Sequence, residues 1–318
     1  MRQKILRMIA AAAFAMALAI PASAAELLIP VGRVVGLSVE EGTVTVMGFD
    51  ETLGIEAREK GILVGDEILT ADGETVDSAA DLRQALAGSD GSVELELRRG
   101  SETIRKTLSP SITDRGPMLG LYLREGITGI GTVTYFDPDS GEFGALGHGV
   151  SSSSGQICDM ESGEVYAARV VGVRKGEPGA PGQLRGFVPP AEPLAQLRKN
   201  TPCGIVGTGG LWQGEALPAA QPGEVTEGQA KILSNIDGEA VREFSVEILR
   251  IGDSGGRDLL LEVTDPALIE ATGGIVAGMS GSPILQNGRL IGAVTHVLVN
   301  DPTRGYGILI QNMRSAAE

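Results

Sequence analysis

The sequence has few histidines, cysteines and aromatic residues. Among its 318 residues are two histidines, two cysteines and only 3% aromatic residues. Two histidines and two distant cysteines make a poor zinc site, so no metal is expected. The cysteines, Cys158 and Cys203, are too few for a disulfide framework. Whether they form a single disulfide after export is left open.

Basic residues are outnumbered by acidic ones. The chain has 26 Lys and Arg against 41 Asp and Glu, which gives a formal net charge of −15. Nucleic-acid binding needs a basic surface that attracts phosphates, so this class of function is disfavoured. The negative charge favours solubility and does not by itself identify a partner.

Long apolar runs are absent except near residue 1. Three basic residues precede an apolar run over residues 8–20, which is followed by the letters PASA. This pattern predicts a secretory signal peptide over residues 1–24, with an A-x-A cleavage site. The run is short for a membrane span, and an uncleaved membrane anchor is the alternative. We therefore expect the protein to be exported across a membrane and to be secreted or membrane-associated.

Glycine and proline, in contrast, are abundant. With 46 Gly, 16 Pro and many short stretches of alternating apolar and polar residues, the sequence predicts a mainly β fold. Two units are expected, one over residues 27–108 and one over residues 118–318. The segment SPSITDRGP, residues 109–117, is predicted to be a linker between them. The strand candidates of the second unit fit a barrel or a pair of barrels.

The first unit contains a recognisable pattern. The stretch EKGILVGDEILTADGETVDSAADLRQAL resembles a bacterial PDZ domain. In PDZ domains an apolar-Gly-apolar loop donates backbone N–H groups to a peptide carboxylate, and the peptide adds a strand to the sheet edge. The resemblance places this loop at Val35, Gly36 and Leu37, where a peptide C-terminus or a segment of the chain itself would bind. The alternative is that Gly36 only permits a strand bend and the groove is empty.

A serine-protease pattern occurs twice in the second unit. The letters GDSGG, residues 252–256, match the pentapeptide around the nucleophile of trypsin-like proteases. However, the strands predicted on either side, FSVEILRI and RDLLLEV, explain this stretch as a β-hairpin turn around Ser254.

The second occurrence, GMSGSP, has the form G-x-S-G-x-P. A strand, an Asn287-Gly288 turn and another apolar strand follow it, as they follow the nucleophile of trypsin-like proteases. A tight glycine-containing loop can expose a serine and direct backbone N–H groups at one point. We therefore predict Ser280 as the nucleophile, with the N–H groups of Gly278 and Ser280 forming the oxyanion hole.

The general base must be one of two histidines. His148 follows an apolar strand in FGALGHGV, with glycine on both sides, where an imidazole can project from a loop. His296 lies inside a predicted strand, AVTHVLV, where a half-buried, hydrogen-bonded histidine is expected. In a trypsin-like arrangement this strand lines the substrate cleft, and Thr295 is expected to support the site. His148 is therefore the predicted base.

The third member of a catalytic triad is less clear from the sequence. Trypsin-like enzymes carry this aspartate in the first barrel, yet no aspartate lies between residues 159 and 237. Asp265, in VTDPALIEATGG, is the candidate. The proline after it and the glycines beyond it also fit a helix N-cap. A Ser280–His148 dyad is the alternative if no carboxylate lies against the imidazole.

Taken together, these stretches resemble the SpoIVB peptidase family, stage IV sporulation protein B. The resemblance rests on the signal segment, the PDZ-like unit, FGALGHGV, VTDPALIEATGGIVAGMSGSPILQNG and IGAVTHVLVNDPTRGYGI. It implies a PDZ-like domain followed by a trypsin-like double β-barrel peptidase domain. By this resemblance His148 is the general base, Ser280 the nucleophile, Asp265 the third triad member and Thr295 a polar residue near the site.

The resemblance also implies a function. Family members are serine endopeptidases secreted from the forespore into the space between the two spore membranes. There they cleave the regulator of a membrane-embedded metalloprotease that processes pro-sigma-K, with self-cleavage and control through the PDZ domain. The acyl-transfer chemistry needs no metal or organic cofactor. Two alternatives stay open: a general quality-control protease of the PDZ-trypsin type, and a PDZ-centred binding scaffold with an inactive peptidase domain.

Overall fold

The chain folds mainly into β-strands, which confirms the predicted fold class. The computed structural model describes residues 26–151, 155–210, 212–252 and 257–317, so the predicted signal peptide lies outside the described residues. The helices in these ranges are α1 Ile55–Glu59, α2 Ala79–Gly88, α3 Pro266–Thr272 and α4 Ile310–Ala317. None of them is long and apolar enough to cross a membrane.

The strands found in the same ranges are, in chain order, β1 Leu27–Pro30, β2 Val34–Phe49, β3 Glu67–Ala71, β4 Glu74–Thr75, β5 Val93–Arg99, β6 Glu102–Leu108, β7 Ser111–Thr113, β8 Gly116–Met118, β9 Leu121–Phe136, β10 Glu142–Ala145, β11 Ser162–Ala167, β12 Arg169–Arg174, β13 Gln183–Phe187, β14 Ala195–Thr201, β15 Gly204–Gly209, β16 Leu217–Pro218, β17 Gly228–Asp237, β18 Ala240–Ile251, β19 Leu259–Val263, β20 Pro283–Gln286, β21 Arg289–Leu298 and β22 Asp301–Leu309.

Most of these strands close into two antiparallel barrels of six strands each. The first barrel has the order β9-β10-β15-β14-β11-β2, and pairing between β2 and β9 closes it. The second has the order β17-β18-β19-β22-β21-β20, and pairing between β17 and β20 closes it. This is the predicted double-barrel arrangement of a trypsin-like peptidase domain.

The two strands that flank the GDSGG stretch, β18 and β19, contribute to the core of the second barrel. Alternate residues of β18 and β19 are buried in one apolar cluster: Phe244, Val246, Ile248, Leu259, Leu261 and Val263. Burying each such side chain contributes about 1.5–3 kcal/mol. The two strands pair, and the Gly252 N–H donates to the Asp258 carbonyl at 2.7 Å. The predicted strand pair is confirmed, while Ser254 and the other residues of 253–256 lie outside the described residues.

The PDZ-like pattern falls in a unit inserted into the first barrel. We call residues 44–123 the inserted unit, because their apolar side chains form a core separate from those of the barrels. Its helix α2 begins at Ser78, where Ser78 and Asp81 form a capping box. Strands β5 and β6 form a hairpin that turns at Gly100, which has φ +61°.

Strands β2 and β9 belong to both the first barrel and the inserted unit. Each is 16 residues long, and they pair with each other in two stretches separated by an irregularity between Val39 and Val44. Gly126 of β9 lies at this irregularity and has φ +94°. A Cβ on Gly126 would lie 2.2 Å from the Val39 carbonyl oxygen. Only glycine fits so close to that carbonyl oxygen. Both strands continue from the barrel into the inserted unit without a connecting loop.

This arrangement corrects the predicted domain boundaries and the predicted linker. The boundaries at residues 27–108 and 118–318 are wrong, because residues 34–39 belong to the first barrel and residues 121–123 to the core of the inserted unit. The predicted linker, residues 109–117, contains the β7 strand and the start of β8, which pair as a hairpin.

The predicted carboxylate-binding loop at Val35, Gly36 and Leu37 is also wrong. These residues lie in the middle of β2 and pair with β9 on one edge and with β11 on the other. A strand paired on both edges has no N–H groups left for a peptide carboxylate, so this segment is part of the barrel wall.

Candidate active site

Ser280 and His148 line the same cleft. Ser280 precedes β20 of the second barrel, and His148 follows β10 of the first. Together with Gly278 they border a cavity of about 400 Å³ whose other walls come from β2, β9 and the segment after His148. Two residues predicted from separate motifs are therefore brought together at one site.

The loop that carries Ser280 is held by the first barrel. The Thr132 hydroxyl of β9 donates to the Gly278 carbonyl at 2.8 Å, and the Thr132 N–H donates to the Ser280 carbonyl at 3.1 Å. Gly278 and Gly281 have φ angles of +98° and +95°, and a Cβ on Gly281 would lie 2.0 Å from the Thr132 carbonyl oxygen. The glycines of GMSGSP thus permit a conformation and a close contact that side chains would prevent.

The oxyanion hole predicted from the sequence needs two N–H groups of this loop that are free to donate. The backbone N–H groups of Met279, Gly281 and Ser282 each donate to a backbone carbonyl. Those of Gly278 and Ser280 donate to no backbone or side-chain acceptor in the part of the chain that the structure describes. A carbonyl oxygen that becomes negatively charged during acyl transfer can accept from both donors.

The Ser280 hydroxyl itself donates to the backbone carbonyl of Thr295, at 2.7 Å. Thr295 is buried on β21, and a Cβ on Gly147 would lie 2.9 Å from the Thr295 methyl carbon. Thr295 therefore contacts the nucleophile loop through its carbonyl and the His148 loop through its methyl group. The sequence identified Thr295 as a supporting residue but did not indicate these contacts.

His148 is presented by a turn with unusual backbone angles. Leu146 and Gly147 both have positive φ, +69° and +70°, a region that leucine rarely adopts. The Nδ1 atom of His148 lies 2.9 Å from the Gly149 carbonyl oxygen. Because a carbonyl only accepts, this contact assigns the proton to Nδ1 and leaves Nε2 able to accept one.

His296 lies beside His148, which the sequence did not indicate. Their ring centroids are 5.1 Å apart, with the ring planes tilted by 39°. His296 lies on β21 as predicted, but it is exposed rather than half-buried, because Thr295 takes the inward position of the strand. Its pKa is lowered by loss of water around the ring and by the positive charges of His148 and Arg257.

Both carboxylate oxygens of Asp265 accept hydrogen bonds at the start of α3. Its Oδ1 accepts from the N–H groups of Ala267 and Leu268 at 2.9 and 3.2 Å, and its Oδ2 accepts from the Ser245 N–H at 3.2 Å. Pro266 follows it, and a glycine with φ +79° ends the helix. The N-cap interpretation is confirmed, and no hydrogen bond joins Asp265 to His148, both of which are described.

We expect Asp265→Ala to destabilise the protein by about 1 kcal/mol, the usual effect of removing an N-cap side chain. The corresponding fall in Tm is about 2–4 °C, measured by thermal unfolding. Asp265→Asn keeps the capping oxygen and should retain both Tm and peptidase activity within about threefold. A loss near 10⁴-fold in the asparagine variant, typical of a lost triad aspartate, would contradict this assignment.

Both cysteines are free thiols in the structure. The Cys158 thiol is buried and donates to the Val150 carbonyl at 3.1 Å, and Cys203 is partly buried. Burial raises the pKa of both thiols, so they are poor nucleophiles. Among the described residues there is no group of three or more His, Cys, Asp and Glu that could hold a metal ion.

A second groove lies in the inserted unit. It has a volume of about 330 Å³ and is bounded by helix α2 and by residues 117–123. The stretch Leu119-Gly120-Leu121 at its end has the same apolar-Gly-apolar pattern as Val35–Leu37, and Gly120 has φ +64°. Within the described ranges, residues 121–125 of β9 pair only with β2 and leave the edge near α2 open. The sequence held two candidates for this pattern, and only the fold distinguishes them.

Two barrels, a partly buried serine on a glycine-rich loop and an imidazole at the same cleft define a serine peptidase. The sequence profile of the family described as SpoIVB peptidase S55 matches residues 116–314. This chain therefore belongs to the SpoIVB peptidase S55 family.

Comparisons with individual proteins give shorter or weaker similarities. A putative zinc metalloprotease of Clostridium perfringens, CPE1693, is 41% identical over 61 residues, which is 19% of this chain and 18% of that protein. The inactive form of the Rv3671c protease has a TM-score of 0.34 and 13% identity, over 60% of this chain and 82% of that one. A serine-to-alanine mutant of Rv3671c from M. tuberculosis H37Rv has a TM-score of 0.34 and 14% identity, over 60% and 80%.

Proposed function

We propose that this protein is an endopeptidase in which Ser280 is the nucleophile and His148 the general base. The observation that supports this most directly is that one cleft contains Ser280, His148 and the two backbone N–H groups, of Gly278 and Ser280, that find no acceptor among the described residues. Labelling with a fluorophosphonate, followed by mass spectrometry of the modified peptide, tests the assignment. A label on any other serine would overturn it.

The chemistry is acyl transfer. The Ser280 hydroxyl leaves the Thr295 carbonyl, passes its proton to Nε2 of His148 and attacks the peptide carbonyl carbon. The N–H groups of Gly278 and Ser280 stabilise the resulting oxyanion. His148 then returns the proton to the leaving amine, and water, activated by the same imidazole, releases the acyl group from Ser280.

The Gly149 carbonyl takes the orienting role that an aspartate has in trypsin-like enzymes. Its contact with Nδ1 fixes the imidazole tautomer and stabilises the imidazolium that forms when Nε2 accepts a proton. A carbonyl carries no full charge, so this stabilisation is smaller than a carboxylate provides. The arrangement is a Ser280–His148 dyad with a backbone orienting group.

We infer the physiological role from family membership. The SpoIVB assignment supports a signalling peptidase that cleaves the regulator of a membrane-embedded metalloprotease in the sigma-K checkpoint of sporulation, and that also cleaves itself. Such a role requires export, by family resemblance into the space between the forespore membranes. Incubation of the purified protein with the regulator and with casein tests it. Selective cleavage of the regulator supports the role, whereas broad digestion of casein indicates a quality-control protease.

We propose that a peptide bound in the groove between α2 and β9 controls the peptidase activity. A peptide could pair with the open edge of β9, and its carboxylate could accept from the loop at Leu119 and Gly120, whose N–H groups donate to no described acceptor. Arg83 is exposed and borders this groove together with Glu125, whose carboxylate accepts from the Ala79 N–H, so Arg83 is the cationic side chain that a negatively charged peptide end can contact.

We expect Arg83→Glu to weaken binding of a peptide with a free C-terminal carboxylate about 5- to 10-fold, because a like charge replaces an opposite one. Fluorescence anisotropy with a labelled peptide that ends in valine measures this change. Gln84→Glu, on the neighbouring face of α2, is the matched control and should have little effect. Equal binding of the C-terminal amide would contradict the carboxylate assignment.

A further inference from the structure

An apolar groove beside the catalytic cleft has no role in the chemistry described so far. It has a volume of about 550 Å³ and is bordered by the outer surface of the first barrel and by residues 188–191. We call it the Tyr166 groove, lined by Gly36, Leu37, Ser38, Thr128, Gly129, Ile130, Tyr166, Val188, Pro189, Pro190 and Ala191. Volumes of this size accommodate peptide side chains or small ligands.

The Tyr166 groove lies next to the catalytic cleft. Leu37, Gly129 and Ile130 line both. Ile130 also reaches the nucleophile loop, since a Cβ on Gly278 would lie 3.4 Å from the Ile130 Cδ1 atom. The groove therefore lies within a few residues' reach of a polypeptide whose scissile carbonyl is at Gly278 and Ser280.

The groove is built into the fold. Its floor is the paired stretch of β2, β9 and β11, in which Gly36 is opposite both Ile130 and Tyr166. A Cβ on Gly36 would lie 2.5 Å from a Val188 methyl carbon, so the segment 188–191 packs directly on this glycine. Because β2 is paired on both edges here, the floor offers apolar surface rather than free backbone groups.

The rim of the groove is acidic. The Tyr166 hydroxyl donates to the Glu164 carboxylate, and the pKa of Tyr166 is raised by this bond and by burial, and further by the charges of Glu164, Glu40 and Glu192. These carboxylates are exposed or partly exposed and lie around Tyr166, whereas the residues that line the groove itself are uncharged. An apolar floor with an acidic rim complements a peptide that carries both apolar and basic side chains.

We propose that the Tyr166 groove is a substrate-specificity site that accepts an apolar side chain of the polypeptide substrate with a neighbouring lysine or arginine at its rim. The proposal rests on the peptidase function assigned above, and it adds a substrate class. Cleavage sites should therefore combine an apolar residue with a basic residue within a few positions of the scissile bond.

The test is a cleavage-site profile, obtained by digestion of a peptide library and mass spectrometry of the products. Wild-type protein should enrich sites with an apolar and a basic residue. Thr128→Trp, which places a large ring at an exposed floor position, should lower kcat/KM for such a peptide about 10-fold. Glu192→Lys should lower it about 3- to 10-fold for the basic peptide and raise it for the same peptide with glutamate in place of lysine.

Two controls separate this proposal from the peptidase assignment. Thr103→Trp introduces the same ring at an exposed strand position of the inserted unit and should leave the profile unchanged. Fluorophosphonate labelling of Ser280 should proceed within about twofold of the wild-type rate in every variant, because the small probe does not occupy the groove. Labelled variants with an unchanged site profile would overturn the groove proposal alone. Failure of the wild-type protein to label would overturn the peptidase assignment.

Discussion

Replacement of Ser280 by alanine is expected to lower kcat/KM for peptide-bond cleavage by about 10⁴- to 10⁶-fold. The reason is that the substitution removes the nucleophile while the N–H groups of Gly278 and Ser280 stay in place. The fold should be retained, because Ser280 is only partly buried and its hydroxyl bond is to the Thr295 carbonyl. Cleavage of a fluorogenic peptide and thermal unfolding of the same preparation measure both quantities.

The matched control is Ser254→Ala, in the stretch that reproduces the trypsin pentapeptide. The strands β18 and β19 on either side of this stretch pair with each other, as the hairpin interpretation of the sequence requires. Activity should therefore stay within about twofold of wild type. The assignment of Ser280 fails if Ser280→Ala still cleaves the peptide, or if Ser254→Ala loses activity while remaining folded.

Features that depend on a few consecutive residues could be predicted from the sequence. The turn at Asn287 and Gly288 has the positive φ angles, 51° and 72°, that Asn-Gly favours in a two-residue hairpin. The N-cap at Asp265 follows from a capping pattern of similar length, with a proline directly after it and a glycine at the end of the helix. The nucleophile loop belongs to this group, because its glycines determine its geometry locally.

Features that depend on pairing between distant strands could not be predicted. Apolar residues recur in both halves of the 16-residue strands β2 and β9, and this pattern does not show where one core ends and the next begins. The domain boundaries therefore came out wrong at Val35–Leu37 and at residues 109–117. The same limit applies to the apolar-Gly-apolar pattern, since its N–H groups are unpaired only where the strand lacks a neighbour.

In the candidate site, too, some features depend on the local sequence and others on contacts between distant segments. Ser280, Gly278 and His148 each lie in a glycine-rich stretch whose local geometry indicates an exposed loop. The proximity of His296 to His148 depends on how the two barrels face each other, and no local pattern shows it. Asp265 fitted two roles by sequence, and only its three hydrogen bonds assign it to the start of α3.

The second large effect is expected for His148. Replacement by alanine should lower kcat/KM about 10³- to 10⁶-fold, because no other group assigned to the cleft accepts the Ser280 proton. The acid limb of the pH dependence of kcat/KM should also disappear, since in the wild-type protein it reports protonation of the base. Stopped or continuous assays with one peptide at about pH 5 to 9 measure both changes.

His296→Ala is the matched variant, since it removes the neighbouring imidazole and leaves the Gly149 contact intact. We expect a loss below about tenfold, because His296 packs beside the base and is not bonded to the reacting atoms in this arrangement. The acid limb should persist in this variant. If His296→Ala instead removed the limb and His148→Ala retained it, the base would be His296, and the Gly149 carbonyl would have no catalytic role.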